Sequence, residues 1–226
     1  MAAAVLIDYE RLSMRDRRAL GDLDDSKQRN AEQREALYPI VVRAAAKVAV
    51  TVRCVRCIDA HGLHVTNMAA LQRSLERVSV PGATCLVDGF RLPDCAVEHK
   101  QVIDGDARSA AIAAASVVAK VTRDRYMHRI AGSYPEFGFI ENVGYSTPEH
   151  REAILRVGPS ELHRRSFQSI AYSQLALAPE ASELDPARPE ALPELERAAD
   201  VVVLPDAPGR VDAQADDVEA QLREAT

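Results

Sequence analysis

The stretch Gly105–Arg125, GDARSAAIAAASVVAKVTRDR, opens with a carboxylate and continues as a run of alanine and serine. Alanine has the highest helix propensity, so the run predicts one long helix. Its small side chains (Ala110, Ala111, Ala113–Ala115) suit close packing of the helix on a sheet. The stretch therefore predicts a helix that packs tightly on a sheet, with Asp106 at the N-terminal end of the helix.

Apolar strands and helices alternate along the rest of the body. Strands are predicted at residues 2–7, at KVAVTVRCV from Lys47, at ATCLVDG and at Val97–Ile103. The apolar run ATCLVDG is typical of a strand that is buried on both faces. Strands alternating with helices indicate an α/β sandwich around one sheet.

Helix starts are marked by capping residues. Asn30 and Gln33 form a capping pair before AEQREALYPIVVRAAA, a run that Pro39 should kink or divide. Thr66 or Asn67 is the predicted cap of MAALQRSLERV, and a shorter helix is expected near Pro148–Val157.

Charge divides the 226-residue chain into a body and a tail. The segment from Ala176 to Thr226 carries a net charge of −9, has no aromatic residue and holds half of the twelve prolines, whereas the rest carries +3. Such a tail buries too little apolar area to offset its ordering entropy, so we expect disorder there. We predict a body over residues 1–172 and a tail over 173–226. Without a transmembrane stretch or a signal peptide, the chain is expected to be cytoplasmic and away from membranes.

Cys54 and Cys57 form a C-x-x-C, a spacing found in zinc and redox sites. TVRCVRC alternates like a strand, where positions i and i+3 point to opposite faces. Cys85 and Cys95 have the wrong spacing for a second ligand pair. Buried or half-buried thiols are the favoured interpretation, and metal or redox chemistry is the alternative.

Asp88 and Asp106 occupy positions where catalytic and ligand-binding carboxylates are common, a strand end and a helix start. Asp88 follows the strand ATCLV, and the end of a buried strand lies at the cleft edge of an α/β sheet. The alternative for Asp88 is an ordinary Asp-Gly turn, and for Asp106 an ordinary helix N-cap. If the two carboxylates converge, they repel each other unless a cation or a proton intervenes, and hard divalent ions prefer such oxygen ligands.

Three loops carry candidate nucleic-acid contacts. Tyr145, beside a glycine, can present its ring to a sugar or base, or can be an ordinary half-buried tyrosine. HRRSF, from His163 to Phe167, is either a phosphate contact or a solvated face. Lys27, in Asp-Ser-Lys, lies in a loop where it can meet a phosphate, although basic residues are common on surfaces.

Taken together, LDDSK, LVDGF, the Gly105–Arg125 stretch, YPEFGF, VGYSTPEH and GPSELHRRSF resemble bacterial ribonuclease HII, in the same order and over about residues 2–170. The resemblance implies a ribonuclease H-like α/β fold, a mixed sheet flanked by helices, with a helical C-terminal part. It implies a monomeric endonuclease that cuts the RNA strand of RNA–DNA hybrids, and single ribonucleotides in duplex DNA, with two Mg²⁺ or Mn²⁺ ions. The products would carry 5′-phosphate and 3′-hydroxyl ends.

Residue by residue, the resemblance assigns Asp88 and Asp106 to the third and fourth catalytic, metal-binding acids. Tyr145 matches the tyrosine that reads the ribonucleotide–deoxynucleotide junction, and Lys27 matches the lysine near the phosphates. Asp124 is interpreted as structural, with Lys120 as its expected partner. Val143 stands where many relatives carry a basic residue, so one phosphate contact is in doubt.

The family's first strand, with the motif Asp-Glu-x-Gly-Arg-Gly, is absent from the sequence. It would supply the first two acids and lie centrally in the sheet. We therefore expect the first (central) strand to be missing and the true start to lie upstream of Met1. The alternatives are a truncated homologue that binds RNA–DNA hybrids without cutting them, and an interaction protein with a lost active site.

Overall fold

A computed structural model describes residues 1–21, 23, 30–166 and 201–204. The helices are α1 Met14–Gly21, α2 Ala31–Ala44, α3 Val55–His61, α4 Leu63–Val78, α5 Gly105–Arg108, α6 Ala110–Ile130, α7 Phe139–Asn142 and α8 Pro148–Val157. The strands are β1 Ala2–Leu6, β2 Lys47–Thr51, β3 Leu86–Asp88, β4 Lys100–Val102 and β5 Val201–Leu204. Within these ranges, no helix is both long and apolar enough to cross a membrane.

The first sheet has the order β1–β2–β5. β1 and β2 pair antiparallel, with Ala2 opposite Thr51 and Leu6 opposite Lys47. Ser74 of α4 fixes a helix to this sheet, because its hydroxyl donates to the Thr51 hydroxyl over 2.7 Å. The buried face of the sheet and the α6 residues Ala113, Ala114, Val117, Val118 and Val121 share one core.

β5 is an element that the sequence interpretation did not include. Residues 201–204 lie in the acidic segment for which no docked element was expected, and they pair antiparallel with β2. The rest of that segment, and the predicted disorder, lie outside the described residues.

The second sheet is a parallel pair, β3–β4, in which Leu86 lies opposite Lys100 and Asp88 opposite Val102. Both strands have three residues, fewer than ATCLVDG and Val97–Ile103 predicted. In β3 the side chain of Val87 is buried, whereas that of Leu86 is half-buried and that of Asp88 exposed. β3 is thus covered less completely than a strand buried on both faces.

The capping box before α2 is confirmed: Asn30 accepts the Gln33 N–H, and the Gln33 side chain accepts the Asn30 N–H. Of the two predicted effects of Pro39, a kink or a division, the division does not occur, since α2 runs from Ala31 to Ala44. Tyr38 and Val41 are buried on either side of Pro39, and this packing offsets the hydrogen bond that proline removes.

The segment after β2 also differs from prediction. β2 ends at Thr51, and Cys54 is the N-cap of α3. The alternation of TVRCVRC therefore does not continue as a strand, because the polypeptide turns into a helix at Cys54. α4 begins at Leu63, so Thr66 and Asn67 both lie within the helix and neither is its cap.

The polypeptide forms two compact units. Of the described residues, the first unit comprises 1–21, 23, 30–53, 67–122 and 201–204, and the second comprises 54–66 and 123–166. The second unit has its own core, in which Phe137 and Phe139 stack with ring centroids 5.6 Å apart and pack with the α8 residues Ala153 and Ile154.

Candidate active site

Asp88 lies at the carboxyl end of β3, and its side chain is exposed. The chain turns immediately afterwards: Gly89 has a φ of 73°, a left-handed conformation that favours glycine. The Gly89 N–H donates to the Val102 carbonyl over 2.9 Å, so the turn remains attached to β4. The position at a strand end agrees with the sequence prediction, and the Asp-Gly turn is present as well.

Asp88 contacts the start of α5. Its Oδ1 accepts the backbone N–H of Gly105 over 2.9 Å. A Cβ on Gly105 would lie 3.0 Å from that same oxygen and 2.5 Å from Cδ1 of Ile112. Glycine is therefore the residue that permits this close approach, and it places Asp88 against the residue next to Asp106.

Asp106 is buried, with 4% of its surface exposed. The prediction that Asp106 leads or caps one long helix is wrong. Asp106 lies inside the short α5, and Ser109, with φ −142° and ψ 118°, separates α5 from α6. A buried carboxylate is costly unless hydrogen bonds or a cation compensate for its charge.

The two carboxylates are the donor type that hard divalent cations prefer. However, the described residues contain no group of three or more His, Cys, Asp or Glu side chains that could hold a metal ion. Asp88 and Asp106 therefore do not, within that part of the chain, complete a site for two ions.

A cavity of about 350 Å³ adjoins Asp88. β1 lines it from end to end, and so does β3. Ala111, Ile112, Ala115 and Ala119 of α6 also line it. Within the residues that the structure describes, β1 pairs with β2 alone and β3 with β4 alone, so each strand is at the edge of its sheet. A cavity bordered by two sheet-edge strands is a space that an extended polypeptide segment fits.

In the second unit, Tyr145 is 59% exposed. The Arg123 guanidinium lies 4.5 Å from the centre of its ring, a cation–π contact. Gly144, with a φ of 77°, precedes Tyr145, and a Cβ there would lie 3.0 Å from Cε of Met127. The ring is thus presented outwards on a closely packed turn.

Asn142 is a residue that the sequence interpretation missed. Its buried side chain donates to the Phe137 carbonyl over 2.6 Å and accepts the Gly144 N–H over 2.7 Å. Val143 next to it adopts a φ of 41°, which is rare for a β-branched residue. Asn142 therefore orients the turn that carries Tyr145. The glycine after Val143 was the only sequence signal for this turn.

The HRRSF cluster divides between core and surface. His163 is buried, and its ring stacks on His150 with centroids 5.2 Å apart. Burial, with a contribution from His150, lowers the pKa of His163 to about 4. A neutral core histidine cannot serve as a cationic phosphate contact, so Arg164 and Arg165 are the candidates in the described part of this cluster. Phe167 lies outside the described residues.

Two further predicted residues remain to be placed. Lys27 lies outside the described residues. Asp124 accepts a hydrogen bond from Arg123 Nη1 over 3.1 Å, an ion pair on α6. Arg123 thus contacts both this carboxylate and the Tyr145 ring.

Comparison with known proteins assigns the chain. The family model for ribonuclease HII matches residues 1–170. The chain belongs to the ribonuclease HII family. A relative from Nocardia farcinica named ribonuclease HII is 43% identical over 167 residues, which are 74% of this chain and 64% of that protein. One of the same name from Mycobacterium bovis is 42% identical over 152 residues, 67% of this chain and 58% of that protein.

This ribonuclease HII family member thus spans about 58–64% of the length of those two curated relatives. The crystal structure of the ribonuclease H2 from Pyrococcus horikoshii OT3 aligns with a TM-score of 0.59 at 22% sequence identity, covering 77% of this chain and 92% of that one. The family and the ribonuclease H-like α/β fold predicted from the sequence are confirmed.

Proposed function

We propose that this protein is an endoribonuclease that hydrolyses the RNA strand of RNA–DNA hybrids and cuts at ribonucleotides embedded in duplex DNA. The observation that carries the proposal is the contact of Asp88 with Gly105. It brings an exposed carboxylate at a strand end against the residue that precedes the buried Asp106. Family membership supports the reaction class, and the two aspartates are the residues that match the family's acids.

Asp88 and Asp106 would contribute to binding Mg²⁺ or Mn²⁺, in different ways. Asp88 is exposed, so an ion and a phosphodiester can reach it from solvent. Asp106 is buried, and burial fixes its orientation and strengthens its interaction with a cation. Paired ions in a completed site would activate the attacking water and stabilise the leaving oxygen.

The remaining ligands would come from an additional extended strand in the cavity between β1 and β3. Both strands line the cavity and are sheet-edge strands in the described chain. A strand there pairs backbone N–H and C=O groups whose burial without partners costs about 1–3 kcal/mol each. We propose that this strand carries Asp-Glu-x-Gly-Arg-Gly.

Tyr145 would contact the nucleic acid at the ribonucleotide junction. Its exposed ring is held on one side by Arg123, so the opposite face can stack on a sugar or base. Stacking on an aromatic side chain contributes about 1–3 kcal/mol per base. Lys27 is proposed as a phosphate contact on the motif match alone.

The experiment is a cleavage assay on a duplex that contains one ribonucleotide, with Mn²⁺. A synthetic peptide carrying Asp-Glu-x-Gly-Arg-Gly is added in trans to the 226-residue chain, and a peptide with Asn-Gln in place of Asp-Glu is the control. We expect cleavage with the first peptide, weak or none with the control, and products with 5′-phosphate ends. Asp88→Asn should abolish cleavage. Asp104→Asn is the matched control and should leave cleavage unchanged. Asp104 is exposed, and its backbone has the left-handed conformation (φ 52°), which asparagine also adopts readily.

The outcomes separate the functions. Cleavage that persists in Asp88→Asn contradicts the assigned site. Tight binding of the hybrid with no cleavage under any peptide condition favours the non-catalytic hybrid-binding homologue, an alternative supported by the presence of only two of the family's four acids. Cleavage by the chain without any peptide contradicts the need for an additional strand.

A further inference from the structure

Cys54 and Cys57 are brought together by the start of α3. Cys54 is the N-cap, with φ −70° and ψ 160°, and its Sγ accepts the Cys57 N–H over 3.3 Å. A helical turn that begins at a cap brings residue i+3 back over the cap residue, whereas a strand separates the two residues onto opposite faces. The change from strand to helix therefore reverses the sequence argument against chemistry at this pair.

The two sulfur atoms are 2.8 Å apart. A disulfide bond is about 2.05 Å long, so bond formation needs only a small movement of the side chains. Both side chains are half-buried, which leaves them partly accessible to a small thiol reagent. The sulfur of Cys85, in contrast, is directed to the Ser79 hydroxyl and the Ala83 carbonyl, each 3.9 Å away.

A metal site is not the better interpretation of the pair. No third or fourth histidine, cysteine or carboxylate joins the two sulfurs in the described part of the chain. Structural zinc requires four ligands. Two adjacent thiols without further ligands are suited to thiol–disulfide exchange instead.

We propose that Cys54 and Cys57 form a reversible dithiol–disulfide pair that exchanges with low-molecular-weight disulfides. One cysteine thiolate attacks a sulfur of the disulfide R–S–S–R, forms a mixed disulfide and releases one RS⁻. The other thiolate then attacks the protein sulfur of the mixed disulfide and releases the second RS⁻. The pair loses two electrons, R–S–S–R gains two, and the two cysteine protons pass through solvent to the two RS⁻ groups.

The cysteine pair lies at the start of α3, and the same helix is hydrogen-bonded to Arg165 and Ser166. Asp59 of α3 accepts the backbone N–H groups of Arg165 and Ser166 over 3.1 and 2.9 Å, and the Ser166 hydroxyl over 2.6 Å. Oxidation at the N-cap of α3 thus modifies the short helix to which residues 165–166 are attached.

The experiment equilibrates the full chain with glutathione buffers of rising oxidised-to-reduced ratio, followed by acid quenching, alkylation and peptide mass spectrometry. We expect the peptide that contains residues 54–57 to lose both alkylations and gain an internal disulfide while Cys85 and Cys95 stay alkylated. The equilibrium constant with glutathione should be at least about tenfold larger for the folded chain than for the same chain in urea, because the fold aligns the sulfurs. The double variant Cys85→Ser/Cys95→Ser is the matched control and should titrate like the original chain.

Three results would overturn the proposal. One is full alkylation of residues 54 and 57 at every ratio. Another is accumulation of mixed glutathione disulfides that do not resolve to the internal bond. The third is an equal constant in the folded and urea-unfolded chains, which shows that the structure does not organise the pair.

Discussion

Gly105→Ala is the substitution that tests the contact between β3 and α5 most sharply. The added Cβ would lie 2.5 Å from Cδ1 of Ile112 and 3.0 Å from Oδ1 of Asp88, so a neighbour must move. Overpacking of this kind costs about 1–3 kcal/mol, while alanine gains about 0.5–1 kcal/mol over glycine in a helix. We expect a net loss of about 1–2 kcal/mol in the free energy of unfolding.

A second substitution identifies the atom responsible. Ile112→Val removes Cδ1, the atom in the shortest contact, and should alone cost about 0.5–1.5 kcal/mol because Ile112 is buried. In the double variant the Cβ of residue 105 occupies the vacated space. The double variant should therefore be about 1 kcal/mol more stable than the sum of the single effects predicts.

Urea unfolding followed by far-UV circular dichroism is the assay, since the chain has no tryptophan. The free energy of unfolding of small proteins falls by about 1–3 kcal/mol per M urea. The loss of about 1–2 kcal/mol in Gly105→Ala therefore corresponds to a decrease of about 1 M in the urea concentration at the unfolding midpoint. Gly132→Ala is the matched control, because a Cβ there meets nothing within 4 Å, and its midpoint should change little. Strict additivity of Gly105→Ala and Ile112→Val, or equal effects at Gly105 and Gly132, would refute the reasoning.

The remaining predictions concern the second unit. Because the pKa of His163 is about 4 when folded and 6.5 when unfolded, its contribution to stability is full above pH 6.5 and decreases as the pH falls towards 4, by roughly 3 kcal/mol in all. This decrease in stability between pH 6.5 and pH 4, measured by thermal unfolding, should be absent from His163→Gln. An equal pH dependence in the variant and the original chain would contradict burial of a neutral His163 ring. Asn142→Ala should cost about 1–3 kcal/mol, measured by urea unfolding, since it leaves the Gly144 N–H without its side-chain acceptor; Ile140→Ala, at an exposed position, should cost much less. Burial raises the pKa of Asp59, but hydrogen bonds from Ser166 and Arg165 outweigh it and lower the pKa overall. Asp59→Asn should therefore speed hydrogen exchange of the Ser166 amide. An exchange rate equal to that of the original chain would contradict a stabilising contact between Asp59 and residues 165–166.

Local signals in the sequence predicted those elements whose cause is local. The capping box at Asn30 and the helix at Pro148–Val157, capped by Thr147, depend on side chains within three residues of the helix start. The family and the α/β class were likewise recoverable, because their motifs are contiguous. Asp88 and Asp106 were identified on the same basis, and their catalytic roles stay a prediction.

The errors arose where distant packing or a single backbone angle decides the structure. Nothing local to Ser109 announces the extended conformation that separates α5 from α6. Pro39 is accommodated because Tyr38 and Val41 are buried in a core formed by remote segments. Pairing of β5 with β2 joins residues about 150 positions apart, beyond the reach of any periodicity argument.

The central claim, that Asp88 and Asp106 bind a divalent ion, is tested most directly by paramagnetic broadening. Mn²⁺ is titrated into the isotopically labelled chain with the Asp-Glu-x-Gly-Arg-Gly peptide present, and amide signals are followed by NMR. We expect broadening to begin at Gly89, Gly105 and Asp106 and to be lost in Asp88→Asn and in Asp106→Asn. Broadening centred on other acids, and unchanged by either substitution, would contradict it.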